Sequence, residues 1–228
     1  MDKPNETPIY VYTQHPQTIE VIKEACGNRV VVLSQNRSRD PIDDLLAQIP
    51  TNDLATLYAV LPIDRIAELR QRAPLLKIIL LQLDGTIIER MTGRPYDPKS
   101  EYPESVVRAA LKVIKINDIN VRYFKSFREM VDEMLEKSRR IAIFNDATRI
   151  GCGIALNRLG IENVELVKTC VDSDCVEVNP LGVKSGYRIS FASSNKLTPE
   201  QIAEALLTGN MARFYYVDVK AEIVPLCE

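Results

Sequence analysis

Histidine is scarce in this sequence: His15 is the only one in 228 residues. That scarcity withdraws the usual partner base of serine and cysteine nucleophiles. Cysteine does not fill the gap. Cys26, Cys152, Cys170, Cys175 and Cys227 are odd in number and scattered. The Cys170-x4-Cys175 spacing needs two further ligands, and His15 is remote in sequence, so neither a metal site nor a cofactor is expected. A chain of this size folds without staples, so reduced thiols in a cytoplasm are expected. Long apolar runs are missing too. The longest, 75–83 (interrupted by Lys77 and Gln82) and 30–33, fall far short of the ~20 residues of a membrane helix. The first eight residues are polar, carry Pro4 and Pro8, and show no basic-then-apolar leader pattern. The reading is a soluble, cytoplasmic protein with no membrane partner. Net charge is nearly absent, −2 from 29 basic and 31 acidic residues, so no global basic field advertises nucleic acid, and none is expected as a partner.

What is present is ordinary globular composition, 46% hydrophobic and 26% charged, arranged in alternating periods. Short β-branched or apolar runs at 9–13, 29–34, 54–61, 75–83 and 120–124 read as strands. Segments with apolar residues at helical spacing separate them: 17–26, 41–49, Ile63–Arg72, 86–91, 104–116 and Phe127–Lys137. The continuity of 75–83 predicts a strand buried on both faces. Residues 93–103, with three prolines, read as a loop. Such alternation implies an α/β fold of three layers, a mainly parallel sheet with flanking helices.

From Arg139-Arg140 onward the pattern becomes α+β. Strands are expected at 140–144, 164–169, 175–179, 187–192 and 214–224. The pair 175–179 and 187–192 flanks Pro180-Leu181-Gly182 as a β pair. Helices are expected at 150–159 and 198–207. Thr198, Pro199 and Gln201 form a capping-box signature, and Gly209 is a stop. The expected division is 1–138 and 139–228. The 214–224 strand, rich in Phe, Tyr and Val, is expected at an exposed edge that a homodimer covers.

Residues 54–137 carry a family resemblance. A strand and helix lead to "KIILLQLDG", then to "IIERMTGR" at 87–94, "ESVVRAALKVIKIND" and "VRYFKSFREMVDEMLEK". In this order they resemble the second half of a guanylate-kinase-like protein of the nucleoside monophosphate kinase group. The resemblance implies that Arg90 and Arg94 grip phosphate and that the last strand and helix close the sheet. A receiver-like domain also ends in a strand, a lysine and a final helix, which Lys125-Ser126-Phe127 fits. The chemistry of neither family is in place. A P-loop needs glycines whose amides wrap a phosphate and a lysine that reaches its oxygens. After the first strand stands Gln14-His15-Pro16-Gln17-Thr18, with neither, and Pro16 has no N–H to donate. The helix start at Gln17-Thr18 still offers partial positive charge, so weak anion binding survives, with His15 as a contact or a solvated turn residue. A receiver's acceptor aspartate would follow the third strand, where Val60-Leu61-Pro62 stands.

Two further segments are site-like. Arg37 and Arg39 in "SQNRSRDP" follow the second strand, where the kinase resemblance places nucleotide-gripping arginines; an arginine fork suits phosphate. Alternatively they are solvated charges with Asp40 as partner. In "FNDATRIGCGIALNRLG", Asp146, Thr148 and Arg149 follow a strand, and Gly151-x-Gly153 opens a helix, as open α/β sheets present anions. This segment looks faintly like the ribose-phosphate loop of phosphoribosyltransferases. Alternatively the glycines allow helix and sheet to pack closely. Cys152 stands between them, with no histidine nearby in sequence to activate it.

Two functions compete. The first is a non-catalytic α/β binding module, a degenerate nucleotide-kinase-like scaffold acting through a protein partner or a small anionic ligand. Aromatics of Arg213-Phe214-Tyr215-Tyr216 or of the 96–102 loop would meet a partner. The alternative is a transferase or lyase on a phosphorylated small molecule or nucleotide, with Asp146 as base and its site between 144–153 and Arg90/Arg94. The first is preferred, and ATP-dependent phosphotransfer is not expected.

Overall fold

The computed structural model describes residues 7–227, apart from 37, 51–53, 98–99, 144–145, 168–175, 179–183 and 193–196. Arg37, Cys170, Cys175 and the Pro180-Leu181-Gly182 turn lie outside the described residues.

The first elements follow from local signals. Strand β1 (Ile9–Tyr12) leads to α1 (Pro16–Cys26), with proline in its first turn and His15 as its N-cap. After β2 (Val30–Val32), Asp40 caps α2 (Pro41–Leu46) by accepting from the amides of Ile42 and Asp43. Then come β3 (Ala55–Ala59), α3 (Ile63–Arg72), β4 (Leu76–Leu83), α4 (Gly85–Thr92) and α5 (Glu104–Ala110). Strand β5 (Leu111–Phe124) runs into α6 (Phe127–Lys137), whose N-cap is Ser126. The remainder is β6 (Arg140–Ile143), α7 (Asp146–Arg158), β7 (Glu165–Val167), β8 (Val176–Val178), β9 (Gly186–Phe191), α8 (Pro199–Thr208) and β10 (Ala212–Ile223). The capping box of α8 forms as its sequence implies: Thr198 Oγ1 accepts from the Gln201 amide at 3.2 Å, and Gln201 Oε1 accepts from the Thr198 amide at 2.9 Å.

The fold is α/β, built on a seven-stranded, mainly parallel sheet flanked by helices, in the order β2-β1-β3-β4-β5-β10-β9. Strands β2, β1, β3 and β4 are mutually parallel. β5 joins β4 antiparallel, and β9 joins β10 antiparallel. The C-terminal α+β portion adds a three-stranded parallel sheet, β7-β6-β8.

The chain forms two compact units. One comprises Met1–Leu61, Arg65–Asp118 and Lys220–Glu228; the other comprises Pro62–Asp64 and Ile119–Val219. Both β5 and β10 pass from one unit into the other, and Arg139-Arg140 falls inside the second. In the first unit, alternate strand residues Val11, Tyr58, Ile79 and Leu81 pack with Ile22 and Cys26 of α1. Their neighbours Leu57, Ile78 and Leu80 are equally buried. Side chains alternate across a strand, so both sheet faces are covered, as 75–83 had implied. Each such buried Leu or Ile contributes ~1.5–3 kcal/mol. In the second unit, Phe127, Met130, Val131 and Met134 of α6 pack with Ile141, Leu156, Ile189, Leu206 and Phe214.

Several expectations need correction. The helical stripe over 104–116 stops at Ala110, and from Leu111 the chain is strand. Its β-branched residues Val113, Ile114 and Ile116 are buried, and β5 pairs with β4 from Leu83↔Leu111 to Ile79↔Lys115. A ladder to a central strand outweighs a helical stripe whose residues also suit a sheet. Among the described residues, β9 pairs with β10 and β8 joins β6, and the expected pairing of 175–179 with 187–192 is not among the strand pairs. β10 lies between β5 and β9, so it is not the exposed edge on which homodimer formation was expected to rest. The expectation of reduced thiols fails at Cys26 and Cys227, which form a disulfide. Among the described residues, no helix is long and apolar enough to cross a membrane.

Candidate functional site

Strand order locates the most site-like place of the first unit. Chain order runs from β1 outward to β2, then back past β1 to β3 and β4. The loops after β1 and β3 therefore part at the carboxyl edge of the parallel strands, the position at which open α/β sheets place a ligand crevice.

The β1–α1 loop is tightly organised. The Thr13 hydroxyl oxygen accepts from the His15 amide at 3.2 Å. His15 Nδ1 accepts from the Thr18 amide at 3.2 Å and lies 2.8 Å from Thr18 Oγ1. His15 is thus a half-buried cap rather than a solvated turn residue. Burial lowers its pKa, while the Ser100 backbone and the Glu101 charge pull the other way. The resulting neutral ring accepts through Nδ1 and carries its proton on Nε2. Nε2 and Gln17 Oε1 are buried atoms with no well-formed hydrogen bond to the described residues. No acidic residue stands in the first turn of α1.

Beside it, the β2–α2 loop is held by Asp44, which is 5% exposed. Its Oδ2 accepts from the Asn36 amide at 2.9 Å and from Tyr12 Oη at 3.4 Å. Burial and the neighbouring Asp44 push the Tyr12 phenol up to about 12. Asp40, expected as a local partner of Arg37 and Arg39, pairs with Arg65, which also holds Glu68, while Arg37 lies outside the described residues. The Arg39 side chain is exposed.

The third part of the edge was not singled out in the sequence. Asp84 ends β4 and caps α4, accepting from the amides of Thr86 at 3.0 Å and Ile87 at 3.3 Å. Lys112 Nζ lies 2.7 Å from its other oxygen. That contact is the largest of those holding the Asp84 carboxyl below its ordinary pKa. Asp84-Gly85-Thr86 just before the 87–94 segment was the available signal for a cap. A Cβ on Gly85 would lie 3.2 Å from Cβ and Cδ1 of Tyr96, so Tyr96 packs against this turn. Tyr96 and Tyr102, expected to be exposed, stack at 6.2 Å, and Tyr102 is buried. Arg90 and Arg94 are exposed and lie at the other end of α4 from the Asp84 cap, Arg90 ~9 Å along the axis.

The remaining sequence candidates lie in the second unit. Helix α7 begins at Asp146, so Gly151 and Gly153 stand within it rather than opening it. Asp146 and Arg149 form an exposed i,i+3 pair at 3.7 Å, and Thr148 is buried. A Cβ on Gly151 would lie 2.9 Å from the Pro199 carbonyl oxygen and closer still to Ile202, so this glycine permits α7 and α8 to meet. Cys152 is buried in the core, and desolvation pushes its thiol up to about 12, which keeps it protonated.

β9 and β10 carry a polar cluster that the sequence did not reveal. Arg188 and Tyr215 are register partners, and both are fully buried. Asp64 is also fully buried, with Arg213 Nη1 at 3.3 Å from its Oδ2. Burial, then the Asp64 charge, raises the Tyr215 pKa, against the pull of Arg188. Phe214 and Tyr215 are buried, so this strand does not offer the aromatic docking surface expected of it. No protein-family model matches the chain, and neither a curated protein nor a solved structure matches it significantly.

Proposed function

We propose that the chain is a non-catalytic binding module holding a small anionic ligand, such as a mononucleotide or sugar phosphate, at the carboxyl edge of β1 and β3. The observation that carries this reading is the strand order β2-β1-β3-β4, which reverses beside the first turn of α1. A helix N-terminus favours negative charge, and here no carboxylate occupies that turn. His15 would donate from Nε2 to a ligand oxygen, and Gln17 Oε1 would accept from a ligand hydroxyl or amine. With neither lysine nor glycine in Gln14-His15-Pro16-Gln17-Thr18, the loop suits holding an anion better than transferring a phosphoryl group.

Titration calorimetry and thermal shift with inorganic phosphate, a mononucleotide, a sugar phosphate and ATP test this. At least one phosphate compound should bind and raise the unfolding midpoint, without turnover. His15→Asn keeps a capping oxygen but loses the Nε2 donor, and should weaken that ligand roughly tenfold, the worth of one charge-assisted hydrogen bond. No binding by any of the four compounds, or undiminished affinity in His15→Asn, refutes the site and leaves a protein partner as the surviving reading.

A further inference from the structure

In the first unit, the segment after β10 is tied to α1 by a disulfide. Cys26 is the last residue of α1 and is 6% exposed, and Cys227 is the next to last residue of the chain. They form a disulfide across a sequence separation of 201 residues, with their Cα atoms 5.5 Å apart. Around this bond the tail is held lightly. The Val224 amide donates to the Val113 carbonyl at 3.0 Å, and the Cys227 amide donates to Tyr58 Oη at 3.2 Å. Val224, Leu226 and Cys227 rest on the cluster of Ile22, Tyr58, Ile79 and Val113. Leu226 also reaches the cluster of Val21, Ile88 and Val107.

We propose that this tail is a redox-set latch, closed on α1 by oxidation and released by thiol reductants. The pairing joins two segments that fold from opposite ends of the sequence, so it removes a large share of the unfolded chain's freedom. Once reduced, the segment is held, among the described residues, by the hydrogen bonds to Val113 and Tyr58 and by the partly buried Val224 and Leu226, and residues 224–227 loosen. Closing proceeds by thiol–disulfide exchange with a small-molecule disulfide such as oxidised glutathione. One cysteine thiolate attacks a glutathione sulfur, expelling one glutathione thiolate and leaving a mixed disulfide. The second cysteine thiolate attacks the protein sulfur of that mixed disulfide and expels the other glutathione. The two cysteines lose two electrons and two protons, which end on two glutathione thiols. The latch closes in oxidising surroundings and opens in reducing ones, so one chain has two states of residues 224–227. This inference does not depend on the anion site.

The test uses the full chain, equilibrated with oxidised glutathione or with dithiothreitol. After oxidation, a non-reducing peptide map should contain the Cys26 and Cys227 peptides joined. Dithiothreitol should lower the unfolding midpoint by roughly 10 °C, as expected for a long closed loop in a chain of this size, and speed amide hydrogen exchange at residues 224–227. Cys227→Ser should unfold at the lower midpoint in both conditions, whereas Cys152→Ala should keep the full response. Unjoined peptides after oxidation overturn the latch. So does an identical midpoint for wild type and Cys227→Ser in oxidised glutathione, or hydrogen exchange at residues 224–227 that ignores reduction.

Discussion

Gly151 of α7 and Ile202 of α8 are so close that a Cβ on the glycine would lie 2.5 Å from Ile202 Cγ2 and 2.7 Å from its Cβ. Real side chains do not approach to such distances, so the two helices meet where they do because position 151 carries no side chain. Gly153, two residues on, is in a different situation: a Cβ there would sit 3.6 Å from Leu166 Cδ1, an ordinary contact.

The two glycines therefore respond differently to alanine. Gly151→Ala forces α7 and α8 apart, and overpacking of this kind costs about 1–3 kcal/mol, against about 1 kcal/mol gained in helix propensity. It should destabilise the protein. Gly153→Ala has no such clash and should be neutral or stabilising by up to about 1 kcal/mol. Urea unfolding of both variants decides the matter. Equal effects would mean that the α7–α8 approach does not depend on Gly151.

Acid should loosen the start of α1. In the folded protein the pKa of His15 is lowered, chiefly by burial, from ~6.5 in the unfolded chain. The unfolded chain then binds the proton more readily, so the cap's contribution is fully present above the unfolded value. It is lost as pH falls through the lower folded value. Protonated Nδ1 also becomes a donor and can no longer accept from the Thr18 amide. Stability should fall as pH drops below about 6.5, and His15→Asn should flatten that limb of a stability-versus-pH curve. An unchanged slope in His15→Asn would place the pH dependence elsewhere.

At Asp84 the acid response has the opposite chemical origin. Its carboxyl is held below the ordinary range first by Lys112, and also by the amides of Ile87 and Thr86. Stability from this group is present above the unfolded value of ~3.9 and is lost as pH falls through the lower folded one. Asp84→Ala should cost about 0.5–2 kcal/mol at neutral pH, the worth of an N-cap. It should also shrink the loss of stability below about pH 4. Lys112→Met should raise the Asp84 pKa, read by NMR titration of its side-chain carbon. No movement would show that Lys112 does not set that pKa.

The α8 capping box and the burial of 75–83 on both faces could be read directly from the sequence. A cap involves residues three apart, and a strand buried on both sides must be apolar at successive positions, so the signal and its cause are both local. The absence of a P-loop was legible for the same reason, since such a loop is written in consecutive residues. The stripe of 104–116 was ambiguous because Val113, Ile114 and Ile116 satisfy a helix face and a sheet ladder alike, and only pairing with β4 resolves it.

The sequence by itself determined the kinds of element, most of their starting points and the α/β class, because these follow from spacing and caps within a dozen residues. Tertiary structure alone decided that β10 is interior, that Gly151 serves helix packing, that Cys26 meets Cys227 and that Arg188 lies buried beside Tyr215. It also decided that the loops after β1 and β3 part at one edge, since strand order is set by which distant segments bury each other's apolar faces. Each of these depends on residues far apart in the chain meeting in space, and no period or motif in a linear sequence encodes that meeting.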